Sequence, residues 1–550
     1  MGNNALGSWW APSPQLTDSR AGVRSQVPLD YSEPNSSKAG IALLKVPSKF
    51  HPNDPKYRGP ILFNPGGPGA SGVGFINILG ESFQKLIGEE FDIIGFDPRG
   101  VARTTPAVTI FNDEAEDAAW RVRIESDPVL GTSPDALARL YARAQVQSAV
   151  ANRTTRGASP YVSTAIVARD MFSIVRAQGR DKLQYWGFSY GTVLGATFAA
   201  MFPDNVERLI IDGVVDSENY YAGLWSNNLL DTDTTLRMIL DGCVAAGPSL
   251  CALYEPTTEE VHARLTAIFD KLKRQPVPVS NSTLAQEYGL IDYRTARLAL
   301  FERLYSPYGG TALHPDYPAM TLLNALADIE QGKGLALGRI TGDLPVKPPF
   351  HCNCQGSPRK PYGSGISYPD ANIAIGCADG DSVRAEDTIE DLERYFAQLD
   401  QDSEFADQWP GRVFCVGWRL RPVERFAGPF VANTSFPMLL IGNTADPVTP
   451  LAHAFKMSQG FASSAVLHQD SAGHCSVAAT SLCTAKTVRE YFRDGKLPKN
   501  GTICPTESTI FPSFNETRTW LALQGKDREV MDAWKEIRTS YEVPKFGRFW

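Results

Sequence analysis

The sequence predicts an α/β architecture: a mostly parallel β-sheet covered by helices, interrupted by a large and mainly helical insertion. Three observations point there. Apolar runs of strand length alternate with helical segments through the first 215 residues. From about residue 216 to residue 430 the pattern is mainly helical, with long loops. Strand-like runs then return at residues 436–442 (FPMLLIG) and 464–468 (SAVLH). Strands and helices alternating at this spacing form a parallel sheet buried on both faces. The expected organisation is a first core part over residues 1–215, a cap over 216–430 and a second core part over 431–550.

The elements follow in order. Residues 26–29 and 40–46 are short apolar runs separated by Pro34, Asn35 and Ser36, the pattern of a hairpin. PILFN (60–64) reads as a buried strand entering a glycine-rich turn, and FDIIGF (91–96) as another, ending at Asp97 and Pro98. Residues 164–178 place Ile166, Val167, Met171, Ile174 and Val175 at helical spacing, and Gly179 suits the C-terminal cap. A strand over 182–186, a helix over 190–202 stopped by Pro203, and a strand over 208–211 complete the first part. In the insertion, Thr257 and Glu260 form a capping box before Val261, Leu265, Ile268, Phe269 and Leu272. A Pro/Gly-rich section spans 342–365, and 387–401 reads as a second amphipathic helix. No internal repeat is evident.

Composition excludes some classes. The chain has 550 residues, 43% hydrophobic and 21% charged, ordinary values for a protein with a large core. The net charge of -8 and the lack of any Lys/Arg block argue against nucleic acid as a partner. Residues 183–203 carry no charge, but their glycines, serine and threonines make a poor lipid-facing helix, so no membrane span is expected. Nine cysteines and sequons at Asn35, Asn152, Asn281, Asn433, Asn500 and Asn515 lean toward a secretory route. The opening MGNNALGSWW has neither a basic region nor an apolar run. The expectation is a secreted protein whose signal is absent from this chain, with a cytoplasmic protein as the alternative.

The chemistry-bearing residues fall at strand ends. Gly187-Phe188-Ser189-Tyr190-Gly191 is a G-x-S-x-G sequence between a strand and a helix. That context holds a serine in strained backbone geometry above a sheet, and Ser189 is the candidate nucleophile. Asn64-Pro65-Gly66-Gly67-Pro68-Gly69 follows a strand and can aim a backbone N–H at a developing oxyanion. Gly67 is the candidate donor, with the N–H of Tyr190 as the second. A phosphate loop fits less well, since no Gly-Lys-Ser/Thr follows. The order Ser, acid, His leaves His453, His468 and His474 as candidate bases. His474, in the loop after SAVLH, is preferred, with His453 as runner-up. Asp446, in the loop after FPMLLIG, is the candidate acid. Asp97 and Arg99, in GFDPRG, read as a structural turn near the same face.

Taken together, NPGGPGASG, GFDPRG, GFSYG, LIIDGVVD, NTADPVTP and AGHCS resemble the tripeptidyl aminopeptidase and proline iminopeptidase relatives among the α/β hydrolases. VPLDYSEP and the region around Cys483 and Cys504 look like the branch with a tripeptidyl-aminopeptidase-like C-terminal region. The likeness runs from about Trp9 to Cys504 and is thin in the cap. Two departures bear on the pocket. Val101-Ala102-Arg103-Thr104 stands where relatives have Gly then Ser, and Asn64-Pro65 where proline iminopeptidases have His-Gly-Gly-Pro-Gly. The resemblance implies an α/β-hydrolase fold and disulfides Cys243–Cys251, Cys377–Cys415 and Cys483–Cys504. Cys352, Cys354 and Cys475 are left over, and His351-Cys352-Asn353-Cys354 reads as a plain loop because no second ligand pair accompanies it.

The expected activity is acyl-enzyme hydrolysis without metal or organic cofactor. The substrate expected first is a peptide with a free N-terminus. A small ester, thioester or lactone precursor is the alternative, since the fold does not fix the function. A non-catalytic binding protein is disfavoured by the presence of all three residue types. The sequence gives no reading of oligomeric state.

Overall fold

The computed structural model describes residues 21–309, 318–345, 368–512 and 522–540. The HCNC sequence at 351–354, Asn515 and the opening twenty residues lie outside them. A nine-stranded sheet organises the chain, from β1 (Ala21–Pro28), β2 (Lys38–Val46), β3 (Gly59–Asn64), β4 (Phe91–Phe96), β5 (Leu183–Phe188) and β6 (Val206–Asp212) to β9 (Leu439–Ala445), β10 (Ala465–Ala472) and β11 (Ile503–Pro505). Its order is β1-β2-β4-β3-β5-β6-β9-β10-β11. β2 pairs antiparallel with β1 and β4, and the other neighbours are parallel. β7 (Val277–Ser280) and β8 (Tyr288–Ile291) form a separate hairpin in the insertion. The sheet is mostly parallel, as predicted, and all its strands but β11 overlap predicted ones.

Every residue of β3, β4 and β5 is buried, which explains why these strands read as continuous apolar runs rather than alternations. Successive side chains still serve opposite faces. Ile61, Phe63, Trp186 and Phe188 pack on one side with Phe75, Phe83 and Trp534. Leu62, Ile94, Tyr185 and Leu209 pack on the other with Val167, Met171, Val193 and the buried residues of the insertion.

The helix Thr164–Ala177 starts at Ser163, whose side chain accepts from the Ile166 N–H. Thr257 and Glu260 make the predicted reciprocal capping box of Thr258–Arg274, and Thr388 with Asp391 caps Ile389–Asp402 in the same way. The helices Gly72–Ile87, Leu482–Asp494 and Gly525–Ser540 have no counterpart among the predicted elements. For Gly72–Ile87 the reason is tertiary. A Cβ on Gly72 would lie 2.2 Å from the Phe96 carbonyl oxygen, and one on Gly95 would lie 2.0 Å from the Gly72 oxygen. Two glycines therefore let a helix start against the end of β4, and those glycines disguise it as a loop in the sequence.

The GFDPRG turn differs from a simple Asp–Arg pair. Asp97 accepts from Ser71 Oγ at 2.5 Å and from the N–H groups of Val73 and Arg103. Arg99, fully buried, grips Asp170 through Nε and Nη2 at 2.7 and 2.8 Å and also donates to the carbonyls of Pro28 and Leu29. The turn thus ties β1 to the helix Thr164–Ala177.

Among the described residues, disulfides join Cys243 to Cys251, Cys377 to Cys415 and Cys483 to Cys504, the pairs that the resemblance implies. Among the described residues no helix is long and apolar enough to cross a membrane.

Gly95→Ala should be strongly destabilising, because its methyl group meets backbone rather than a side chain that can move aside. A loss of at least about 2 kcal/mol is expected in equilibrium unfolding. An unchanged denaturation midpoint would show that the helix can shift away from β4.

Candidate active site

Ser189 sits between β5 and the helix Tyr190–Met201 with φ 55° and ψ -124°. A non-glycine residue there is strained and persists only where the surroundings hold it. Its N–H donates to the Asp212 carbonyl at 3.0 Å, and its own carbonyl accepts from Thr192 Oγ1 at 2.6 Å. The flanking glycines are sterically required. A Cβ on Gly187 would lie 2.4 Å from the Gly191 oxygen, and one on Gly191 would lie 2.8 Å from the Asn64 oxygen.

The glycine-rich loop after β3 lies against this turn. Asn64 Oδ1 accepts from the Gly66 N–H at 2.9 Å. Gly66 has φ +100°, and a Cβ there would fall 2.8 Å from Ser189 Cβ and 3.2 Å from the Tyr190 nitrogen. Gly67 and Tyr190 line one small cavity with Ser189 and His474, about 30 Å³ in volume.

His474 follows β10. Its Nδ1 lies 2.9 and 3.0 Å from the two carboxylate oxygens of Asp446, and both residues are buried. Asp446 also accepts from the N–H groups of Val448, Thr449 and Cys475 at 3.1, 2.9 and 2.8 Å. Burial alone would raise its pKa. The charge of His474 and the hydrogen bonds outweigh that and hold the carboxyl below the ordinary Asp value. Thr449 Oγ1 stands 3.2 Å from His474 Nδ1. The Tyr305 ring packs edge-on to the imidazole, and the Tyr305 carbonyl accepts the His474 N–H at 2.8 Å.

The other histidines are placed differently. His453 is buried on the helix Leu451–Ser458, and burial pushes its pKa down. His468 lies within β10 with Nε2 2.8 Å from Thr444 Oγ1.

Asp446, His474 and Cys475 bring ligand-capable atoms within 4.8 Å of one another. The donor set suits an acid–base pair rather than a metal site. Asp446 already receives four N–H groups, and burial pushes the Cys475 thiol well above its usual value, whereas a metal needs the thiolate.

Sequence reading passed over several residues of the site. Asp212 ends β6 within the quoted LIIDGVVD but received no role, and Thr449 lies three residues beyond Asp446. Asp379, from the insertion, is fully buried. It accepts from the Thr164 N–H and Oγ1 at 2.8 and 2.5 Å and from the Tyr220 hydroxyl at 2.9 Å. The Tyr190 hydroxyl hydrogen-bonds Thr164 Oγ1 in turn, so this carboxyl reaches the residue after Ser189.

A family model described as the alpha/beta hydrolase fold matches residues 59–243, and one described as TAP-like protein matches residues 402–504. The chain is 26% identical to serine protease Hip1 of Mycobacterium tuberculosis over 486 residues, 87% of this chain and 86% of that protein. It is 32% identical to tripeptidyl aminopeptidase of Streptomyces lividans over 213 residues, 38% of each. Carboxylesterase B of Mycobacterium tuberculosis is 26% identical over 510 residues, 91% of this chain and 89% of that protein.

Burial pushes the Asp379 carboxyl up to about 6, against the hydrogen bonds of Thr164 and Tyr220. Its folded value lies above the unfolded one, so its favourable contribution is complete below about pH 4 and lost as pH rises through about 6. Asp379→Asn removes this dependence. Relative to the variant, the parent should lose up to about 3 kcal/mol between pH 4 and pH 8 in denaturant titrations. Parallel pH profiles would show that the carboxyl titrates as in the unfolded chain.

Proposed function

We propose that this chain, a serine hydrolase of the α/β fold, is an exo-acting aminopeptidase that releases short peptides or single residues from free N-termini. The observation that carries the chemistry is the buried Asp446–His474 pair, whose imidazole lines one cavity with the strained Ser189. His474 takes the proton from Ser189 Oγ as that oxygen attacks a carbonyl carbon. Asp446 stays ionised, fixes the Nδ1–H tautomer and stabilises the imidazolium. The N–H groups of Gly67 and Tyr190 stabilise the oxyanion, each such donor contributing about 100- to 1000-fold in rate. His474 then protonates the leaving amine and activates the water that releases the acyl group.

The likeness to a serine protease and a tripeptidyl aminopeptidase supports the peptide substrate. Residues 216–430 are read as a cap between two core parts, 1–215 and 431–550, covering the nucleophile and excluding folded chains. The second reading is an esterase. It draws on the carboxylesterase relative, and on the cavity around Ser189, where no carboxylate among the described residues lines the wall to hold a substrate ammonium. Three disulfides support a secreted protein. Asn35, Asn433 and Asn500 are exposed sequons able to take a glycan, whereas the Asn152 amide is engaged by Gly417 and Arg419.

Short peptide anilides with free and with blocked N-termini, together with matched acyl esters, separate the two substrates. Free-amine peptides are expected to be cleaved and blocked ones spared. Ester turnover without peptide cleavage moves the function to small-molecule acyl chemistry. Ser189→Ala should lower kcat by roughly six orders of magnitude. Asp446→Asn, which keeps the shape and loses the tautomer control, should lower it by about 10⁴-fold. Full activity in either variant removes that residue from the mechanism.

A further inference from the structure

We propose that Trp225, with Tyr220, Tyr305 and Trp409, walls the subsite for the side chain of the acyl residue and selects uncharged, apolar side chains. The proposal rests on Ser189 being the nucleophile.

Trp225 has φ 52°. A bulky side chain in the left-handed region costs about 1–3 kcal/mol and survives only when its neighbours over-determine it. Here they do. Its carbonyl accepts from Trp409 Nε1 at 3.0 Å and from the Tyr395 hydroxyl at 3.1 Å, both buried. The next N–H, of Ser226, is held by Asn219 Oδ1 at 3.1 Å. The indole packs edge to face with Tyr220 at 5.1 Å and Trp409 at 6.2 Å. Behind it stands Gly411, where a Cβ would be 3.4 Å from Trp225 Cγ. The chain accepts backbone strain to fix one indole, and that indole lines the cavity of Ser189 and His474. Strain held in this way at a reaction cavity marks a residue that shapes what enters.

The chemistry of the wall sets the preference. Among the described residues, and apart from His474, the groups lining this cavity are uncharged. A charged acyl side chain would shed its water without gaining a counter-ion, which is costly in a buried site. An aromatic cage can instead attract a cation. Two features oppose that here. The rings meet one another edge to face, at interplanar angles of 71° and 63°, so neighbouring ring edges already lie against faces a cation would use. In addition, His474 becomes positive during the reaction within the same cavity.

The test uses the full chain and three acyl residues of similar length, norleucine, lysine and glutamate, each supplied as a free-amine peptide anilide and as an aryl ester. Norleucine should exceed both charged residues by about 100-fold in kcat/KM. Trp225→Ala should lower kcat/KM for norleucine by about tenfold while leaving the charged substrates nearly unchanged, and Trp225→Phe should restore most of the loss. Ser189 labelling by a small fluorophosphonate, at the parent rate in both variants, shows that the reaction centre is intact. Lysine equal to or better than norleucine overturns the proposal in favour of a cation cage. An equal loss on all three substrates overturns it in favour of a purely structural Trp225. If Ser189 is not labelled and no acyl substrate turns over in the parent, the hydrolase reading fails, and the subsite with it.

Discussion

The buried carboxylate of Asp212 is the joint on which the site is assembled. It accepts from the Ser476 N–H at 2.7 Å, from Ser476 Oγ at 2.5 Å and from Trp186 Nε1 at 3.3 Å. Its carbonyl accepts from the Ser189 N–H at 3.0 Å and from Cys475 Sγ at 3.4 Å. One residue at the end of β6 therefore fixes the turn after β5, the β5 strand itself and the loop after β10. Burial pushes its carboxyl up to about 6, opposed by the Ser476 and Trp186 hydrogen bonds. A buried acid without a cationic partner is retained only if donors satisfy it, and here they come from the segments that must be held together.

Residues of the segment between β6 and β9 hold both loops of the candidate site. Asn228 Nδ2 donates to the Val448 carbonyl, Thr232 Oγ1 to Pro447 and Thr235 Oγ1 to Ala445, while Asp231 accepts from the Leu451 N–H. These bonds clamp the loop carrying Asp446 on both sides. Tyr305 and Tyr308 hold the His474 loop in the same way, through the His474 N–H and the Ala472 N–H. Loops that position reacting groups to a few tenths of an ångström need such outside support. Insertion and sheet are thus coupled through hydrogen bonds to both loops, and the cavity of Ser189 is lined by residues of both.

Much of the sheet was legible because its strands are buried on both faces. FDIIGF is β4 residue for residue, and PILFN and the run before Gly187 differ from β3 and β5 by one or two residues at their ends. The helix after Thr257 was legible because its cap and its apolar face are both local. The hairpin of β7 and β8 was not: β7 alternates over only four residues and contains Pro278, and β8 exposes Tyr288, Gly289 and Leu290 with no alternation. Gly72–Ile87 was missed because three of its residues are glycines, and a Cβ at Gly80 would meet Val46 at 2.7 Å. Its helicity comes from packing rather than from propensity.

The sequence by itself determined the strand-turn-helix around Ser189, the loops that carry Gly67, Asp446 and His474, and the sheet that orders them. Each rests on a local backbone demand, and a local demand leaves its mark in neighbouring residues: glycines where a Cβ will not fit, an apolar run where both faces are covered. Only the tertiary structure decided that Arg99 pairs with Asp170 across 71 positions, that Asp212 joins the Ser189 turn to the His474 loop, and that Trp225 lines the cavity of Ser189. Those contacts join residues far apart in the chain, and each partner, taken alone, has the sequence surroundings of an ordinary buried residue.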